Sequence, residues 1–316
     1  MSEDTVTERP PEPDWPTMTS EELLVYREAE NRFRASGAAR AFLGDPDPGA
    51  TIEWQEVALP GRRLPVRVYR PAADSARGPD LPLVLHVHGG GFVGTAVQCD
   101  WPNSHVAAQL PAVVVSVEHR LLAPGTPLSA AVDDGWDALE HVVRHAAQWG
   151  VDPARTAVFG ESCGALISAL AAIRAREAGL RLTAQVLVNP AVDVSATMFD
   201  YASIAEYGYS PTRAEPQLRF FHQLAVPPGT DGRALSPLYA DHLSGLAPAL
   251  VVVPTEDAVA DHGRSYAERL RTAGTPVRLT EYPGSRHAFL TLPGVDPQAG
   301  AARTEIVEFL RTALAI

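Results

Sequence analysis

The sequence predicts an α/β protein: a mostly parallel sheet with helices on both faces. Short apolar runs alternate with helical segments of roughly ten to fifteen residues, the signature of repeated strand–helix–strand units. Several runs are apolar almost throughout, as strands buried on both faces must be. No internal repeat and no dividing linker interrupts this pattern, so residues 17–316 are expected to form one domain.

In chain order, MSEDTVTERPPEPDWP (1–16) is acidic and proline-rich and reads as a disordered tail without a secretory leader. TSEELLVYREAENRFRASG opens with Thr19 or Ser20 and Glu22 in capping-box spacing and stops at Gly37, which predicts a helix. WQEVALP and RRLPVRVYRP alternate and predict an antiparallel pair near a sheet edge, whereas LPLVLHVH and AVVVSVEH predict buried central strands. The helix DGWDALEHVVRHAAQWG and the strand RTAVFG come next. SCGALISALAAIRAREAG is a helix ending at Gly179, and LTAQVLVNPA is the strand after it. APALVVVPTE, the helix HGRSYAERLRTAG, the strand VRLTEYPG and a last helix TEIVEFLRTALA complete the alternation. Residues 197–228 break it. They are aromatic and irregular, and an insertion of that length reads as a lid over a site.

Composition narrows the function. Hydrophobic residues make up 46% and charged residues 20%, as in a globular protein, and no run approaches the roughly eighteen apolar residues of a membrane span. The net charge of −12 would be repelled by nucleic acid and by anionic membranes. Cys99 and Cys163 have neither disulfide-framework nor metal-ligand spacing, which fits a reducing cytoplasm and no metal. All 26 basic residues are arginine. Lysine Schiff bases, lysine-bound pyridoxal phosphate and the GxxxxGK[ST] phosphate loop are thereby excluded. An arginine-only chain rich in alanine, glycine and proline also points to a GC-rich bacterial genome.

Two glycine-bearing motifs follow strands. In Gly160-Glu161-Ser162-Cys163-Gly164 the central serine stands between a strand and a helix, the placement of a nucleophile elbow; a plain glycine-bounded helix start is the alternative. Ser162 is the expected nucleophile, and Cys163 is expected to contribute its backbone N–H. A serine hydroxyl needs a base and needs donors for the developing oxyanion. His88-Gly89-Gly90-Gly91-Phe92 ends a buried strand and offers such donors. Gly89, Gly90 and Cys163 are assigned to the oxyanion, with His88 and Gly91 as loop support. His287, in a loop after a strand and after the serine, is the expected base. His86, His105, His119 and His222 lack that context. For the acid, Asp257 is best placed past a strand end beside Glu256, with Asp261 as the alternative and Asp193 third.

Together these residues resemble the hormone-sensitive-lipase-like branch of the α/β-hydrolases, the bacterial family IV esterases. LPVRVYRP, HGGGF, GVDPARTAVFGES, SPLYADHLSGLAPALVVVPTEDAVADHGRSYAERLRTAG and RHAF resemble that family's blocks in its order, from about residue 19 onward. The resemblance implies an α/β-hydrolase fold with about eight strands and a helical cap from about 17–45 and 197–228. It implies a Ser162–His287–Asp257 triad that cleaves carboxylic esters without cofactor. Departures stand at GESCGA, where the family has GDSAGG, at HRLLAPG, where it has YRLAPE, and at DAVADH, where it has DPLxDE.

The expected function is serine carboxylesterase action on small-to-medium esters, by a monomer or homodimer with no nucleic-acid or membrane partner. An eliminating lyase using the same base and oxyanion hole is the alternative. A small-molecule binder is less favoured, because the hormone receptors that resemble this family lose the base. Phe92, Tyr207, Tyr209 and Phe221 are the candidate pocket residues. Tyr201 and Phe220 are further cap aromatics, of which at least half are expected to be cap core.

Overall fold

A computed structural model describes residues 8–72, 80–210 and 214–316. Eight strands form one sheet: β1 (Ala50–Leu59), β2 (Arg62–Pro71), β3 (Leu81–Val87), β4 (Val113–Val117), β5 (Val151–Glu161), β6 (Ala184–Val188), β7 (Ala249–Glu256) and β8 (Val277–Arg286). Their spatial order is β1-β2-β4-β3-β5-β6-β7-β8. β1 and β2 pair antiparallel at one edge, as their alternation predicts, and β2 runs antiparallel to β4; every other pairing is parallel.

The helices are α1 (Ser20–Ala35), α2 (Arg40–Leu43), α3 (Asp100–Gln109), α4 (Leu128–Arg144), α5 (Ala146–Trp149), α6 (Cys163–Glu177), α7 (Ala202–Tyr207), α8 (Ala214–Ala225), α9 (Ala260–Thr272) and α10 (Ala299–Ala313). One sheet face packs Val84, Val114, Phe159 and Leu250 against α3 and α10. The other packs Leu83, Leu85, Val113 and Val115 against α4 and α6, and Leu187, Val251 and Val253 against α6 and α9. Burial on both faces is why these strands are apolar without alternation.

Register decides what leaves the sheet together. Val87, the last residue of β3, lies opposite Gly160 of β5, and Glu256 of β7 lies opposite Arg286 of β8. The glycine loop and Ser162 therefore emerge side by side from neighbouring strands, as do Asp257 and His287. The capping box of α1 forms as read from sequence: the Glu22 N–H donates to Thr19 Oγ1 at 3.2 Å, and the Thr19 N–H to Glu22 Oε2 at 2.8 Å.

Three expectations need correction. Helix α3 lies between the two central apolar strands, where no helix was expected. Its buried side mixes Asp100, Asn103 and Ser104 with Pro102, Val106 and Ala107, so its apolar periodicity is faint. Helix α4 starts at Leu128, six residues before the expected start. Third, disorder does not extend through residue 16. Trp15 is 3% exposed, heads a short 3₁₀ turn, and packs on Tyr26, Phe220 and Phe221 with ring centroids 5.5–5.7 Å apart. A single large aromatic offsets the ordering entropy of a polar, proline-rich segment. The first seven residues of the expected tail lie outside the described residues.

Trp15 belongs to a cluster with Leu23 of α1, Phe92 and Phe221 that continues to Cys163 and Leu166 of α6. Truncating it opens a cavity in that cluster, a change worth about 3 kcal/mol or more for a buried aromatic. Trp15→Ala is expected to lower Tm and to make the segment before α1 cleavable by trace protease. An unchanged Tm and cleavage pattern would show that Trp15 does not anchor it.

Candidate active site

Strand β5 turns into α6 within one residue, and that residue is Ser162, with φ 55° and ψ −120°. A non-glycine residue held there stores about 1–3 kcal/mol. The turn is over-determined: the Ser162 N–H donates to Val188 O at 2.9 Å, and Ser162 O accepts from the Ala165 and Leu166 N–H groups at 3.0 and 3.2 Å. The flanking glycines are required for close approach. A Cβ on Gly164 would lie 2.5 Å from His88 O, and one on Gly160 the same distance from the Gly164 carbonyl carbon.

Ser162 Oγ lies 2.8 Å from His287 Nε2, and His287 Nδ1 lies 2.8 Å from Asp257 Oδ2. Asp257 is 2% exposed and is itself oriented by the Val259 N–H, which donates to Oδ1 at 3.0 Å. A carboxylate facing Nδ1 selects the tautomer that leaves Nε2 free to accept the serine proton. Loss of solvent pulls the His287 pKa down. The Asp257 charge and hydrogen bond, with a further contribution from Glu161, outweigh it and leave the imidazole above its usual 6.5. Glu161 is fully buried beside the serine, its Oε1 has no partner among the described residues, and burial pushes its carboxyl up to about 7.

These groups open into a cavity of about 210 Å³. Gly90, Gly91 and Cys163 line it beside Ser162. Gly89 lies behind, where a Cβ would come within 2.7 Å of Glu161 O. Of the loop glycines expected at the oxyanion, Gly90 borders the cavity, and Gly91, expected as loop support, borders it too. The cavity-facing pair is Gly90 and Gly91, because Gly89 is taken up in packing the loop against β5. His88 is buried beneath the loop, stacked on His119 at 4.3 Å, with Nδ1 2.9 Å from Gly89 O, and burial lowers its pKa to about 4. It is a neutral brace.

The sequence pattern of the α/β-hydrolase fold family matches residues 84–291. The chain belongs to the α/β-hydrolases. It is similar to a carboxylesterase of Mycobacterium tuberculosis, 36% identical over 279 residues covering 84% of each protein. It is similar also to an ethyl acetate hydrolase of Pseudomonas putida, 31% identical over 91% of this chain and 90% of that one. Among solved structures, an ester hydrolase from the metagenome of Lake Arreo superposes with a TM-score of 0.84 at 31% identity, covering 96% and 94% of the two chains. The likeness to the hormone-sensitive-lipase branch is borne out by these relatives.

In this α/β-hydrolase the other candidate acids are engaged elsewhere. Asp261 pairs with Arg264 at 2.8 Å and accepts from the Ser203 N–H, Asp193 accepts from Tyr201 Oη at 2.8 Å, and Glu256 faces Arg286. Of the expected pocket residues, Phe92 and Phe221 line the cavity, whereas Tyr207 and Tyr209 do not. Tyr207 ends α7 against Ala258 and Val259, and Tyr209 sits in the following turn, 60% exposed. Tyr201 and Phe220 pack as cap core. Cys163 Sγ is buried and its pKa is raised to about 11 by that burial, although the nearby Phe92 and Gly91 N–H groups pull the other way. Its position at a helix start therefore does not produce a reactive thiolate.

Sequence reasoning missed Leu128, Leu166, Met198 and His222, which line the cavity, and Arg9, Arg34 and Gln217 at its rim. They come from α1, α4, α6 and α8 and the segments between, and no local motif marks them. Glu161 favours the imidazolium, so its charge raises the His287 pKa. An NMR titration is expected to place His287 above 6.5 and to show it lowered in Glu161→Gln. A value unmoved by that substitution would mean the two groups are not coupled.

Proposed function

We propose that this chain is a serine carboxylesterase acting on small-to-medium carboxylic esters. The observation that carries the reading is the continuous Ser162–His287–Asp257 hydrogen-bond chain opening into an apolar-walled cavity. Relatives named as ester hydrolases along nearly the full chain support it. Ser162 Oγ attacks the ester carbonyl carbon as its proton passes to His287 Nε2. The amides of Gly90, Gly91 and Cys163 hold the oxyanion of the tetrahedral intermediate. On collapse, His287 gives the proton to the departing alcohol. Water, deprotonated by His287, then attacks the acyl-enzyme and releases the acid and Ser162. Asp257 keeps the imidazole in register and offsets its positive charge at each stage.

Leu128, Leu166, Val194, Met198 and Phe221 surround the reacting bond with apolar surface and suit an acyl chain of modest size. Helices α1, α7 and α8 act in this reading as a cap that excludes water. Two free, buried cysteines accord with a cytoplasmic setting, and no helix among the described residues is long and apolar enough to cross a membrane. The elimination alternative draws support from none of the relatives.

A p-nitrophenyl ester of a short acid is expected to give a burst of p-nitrophenol stoichiometric with enzyme. In Ser162→Ala the burst disappears and kcat falls about a thousandfold or more. Failure of an organophosphate to label Ser162 would overturn covalent catalysis. Because His287 must be neutral to accept the proton and its pKa is raised, kcat/KM is expected to fall with decreasing pH with a midpoint above 6.5. A midpoint below that value would contradict His287 as the base.

A further inference from the structure

The cavity holding Ser162 does not stand alone. A second of about 310 Å³ runs from it past Trp15, Tyr26 and Val93, and a third of about 380 Å³ lies over Phe33, Phe42 and Leu292. Arg9, Arg34 and Gly90 border all three, and Gln217 borders the first two. Two guanidinium groups and an amide thus stand at the junction of three arms, next to a loop glycine assigned to the oxyanion.

Their partners leave donors over. Arg34 Nε and Nη2 donate to Glu30 Oε1 at 3.0 and 2.9 Å, and Nη1 donates to Gln98 Oε1. Arg9 Nε donates to the same Glu30 oxygen at 3.0 Å. One carboxylate, 1% exposed, is thus shared by the two cations at the junction. Three of the five N–H donors of Arg34 are committed in this way, so two remain. Glu12, in the second arm, and Arg9 are both exposed and act on each other through solvent, so the cation held within the cleft is Arg34. The Gln217 amide lies over the loop, its Nε2 2.8 Å from where a Cβ on Gly91 would stand. A wall of guanidinium and amide donors with two Arg34 N–H groups uncommitted, beside the apolar lining around Ser162, fits a group that only accepts hydrogen bonds and carries negative charge. The chain as a whole carries −12 and repels anions at a distance, so such a group has to be held by local contacts.

We propose that the substrates are esters bearing a second, ionised carboxylate, and that Arg34, with Arg9 and Gln217, holds that carboxylate while Ser162 attacks the ester. This rests on the ester-hydrolase reading and adds a substrate class to it. The carboxylate can belong to the acid or to the alcohol of the ester, and two substrate pairs separate these. Mono-p-nitrophenyl adipate is compared with the p-nitrophenyl ester of adipamic acid, and O-butyryl glycolate with O-butyryl glycolamide, each corrected for spontaneous hydrolysis. In at least one pair the carboxylate form is expected to have a kcat/KM about tenfold higher than its amide, the scale of one charge-assisted hydrogen bond. Arg34→Gln, Arg9→Gln and Gln217→Leu are each expected to lower that ratio. A ratio within one variant cancels any general loss of activity, and Arg9, whose side chain is 62% exposed, gives a variant that folds if Arg34→Gln does not. Ratios at or below one in both wild-type pairs, or ratios unmoved in the arginine variants, would overturn the proposal while leaving the esterase reading intact. Hydrolysis of none of the four esters would overturn both.

Discussion

The active geometry depends first on the parallel register of the sheet. Neighbouring parallel strands end at the same edge, and which residues end opposite one another is fixed by the apolar pattern buried on both faces. Both faces of β3 and β5 are buried, so a slip of one residue would exchange side chains between two differently packed cores, and that packing with the close approach of Gly160 to Gly164 opposes it. The register sets Val87 against Gly160 and Glu256 against Arg286. The glycine loop meets the serine turn, and the carboxylate meets the imidazole, because the strands leave them nowhere else to go. The helices on the two faces matter to chemistry because they hold that register.

On this frame the site stores unfavourable terms that the core offsets. Ser162 sits in a backbone region few side chains adopt, Glu161 is buried without a partner for one oxygen, and His287 keeps a raised pKa although loss of solvent opposes its charge. Each would relax in a looser structure. None can here, since β5 is central, Gly160 and Gly164 are in contact, and α6 is packed into three core clusters. The rigidity is what makes proximity effective: the groups are already within hydrogen-bond distance before a substrate arrives.

Much of this was legible in the sequence because it is local. The alternation of apolar runs and helices gave the sheet, and GESCG and RHAF gave Ser162 and His287 because each motif lies where a strand ends. Asp257 was separable from Asp261 by position alone. What was not legible depends on distant partners. Helix α3 breaks its apolar stripe with buried Asp100, whose partners Arg67 and Tyr69 come from β2. Trp15 looks like part of a disordered tail until α8 supplies Phe220 and Phe221. That Gly89 packs against Glu161 while Gly90 and Gly91 border the cavity is something a run of identical glycines cannot express. Tyr207 and Tyr209 look like pocket residues by composition, but the first packs on Ala258 and Val259 and the second faces solvent.

The adjacent pair Ser162 and Cys163 shows how far placement overrides intrinsic chemistry. Among free amino acids in water the sulfur is the far better nucleophile. Here burial holds it as a neutral thiol, while the weaker oxygen has a base at 2.8 Å. On the proposed mechanism an electrophile entering the cleft thus meets an inverted order of reactivity, in which the hydroxyl is modified and the thiol one residue away is a bystander.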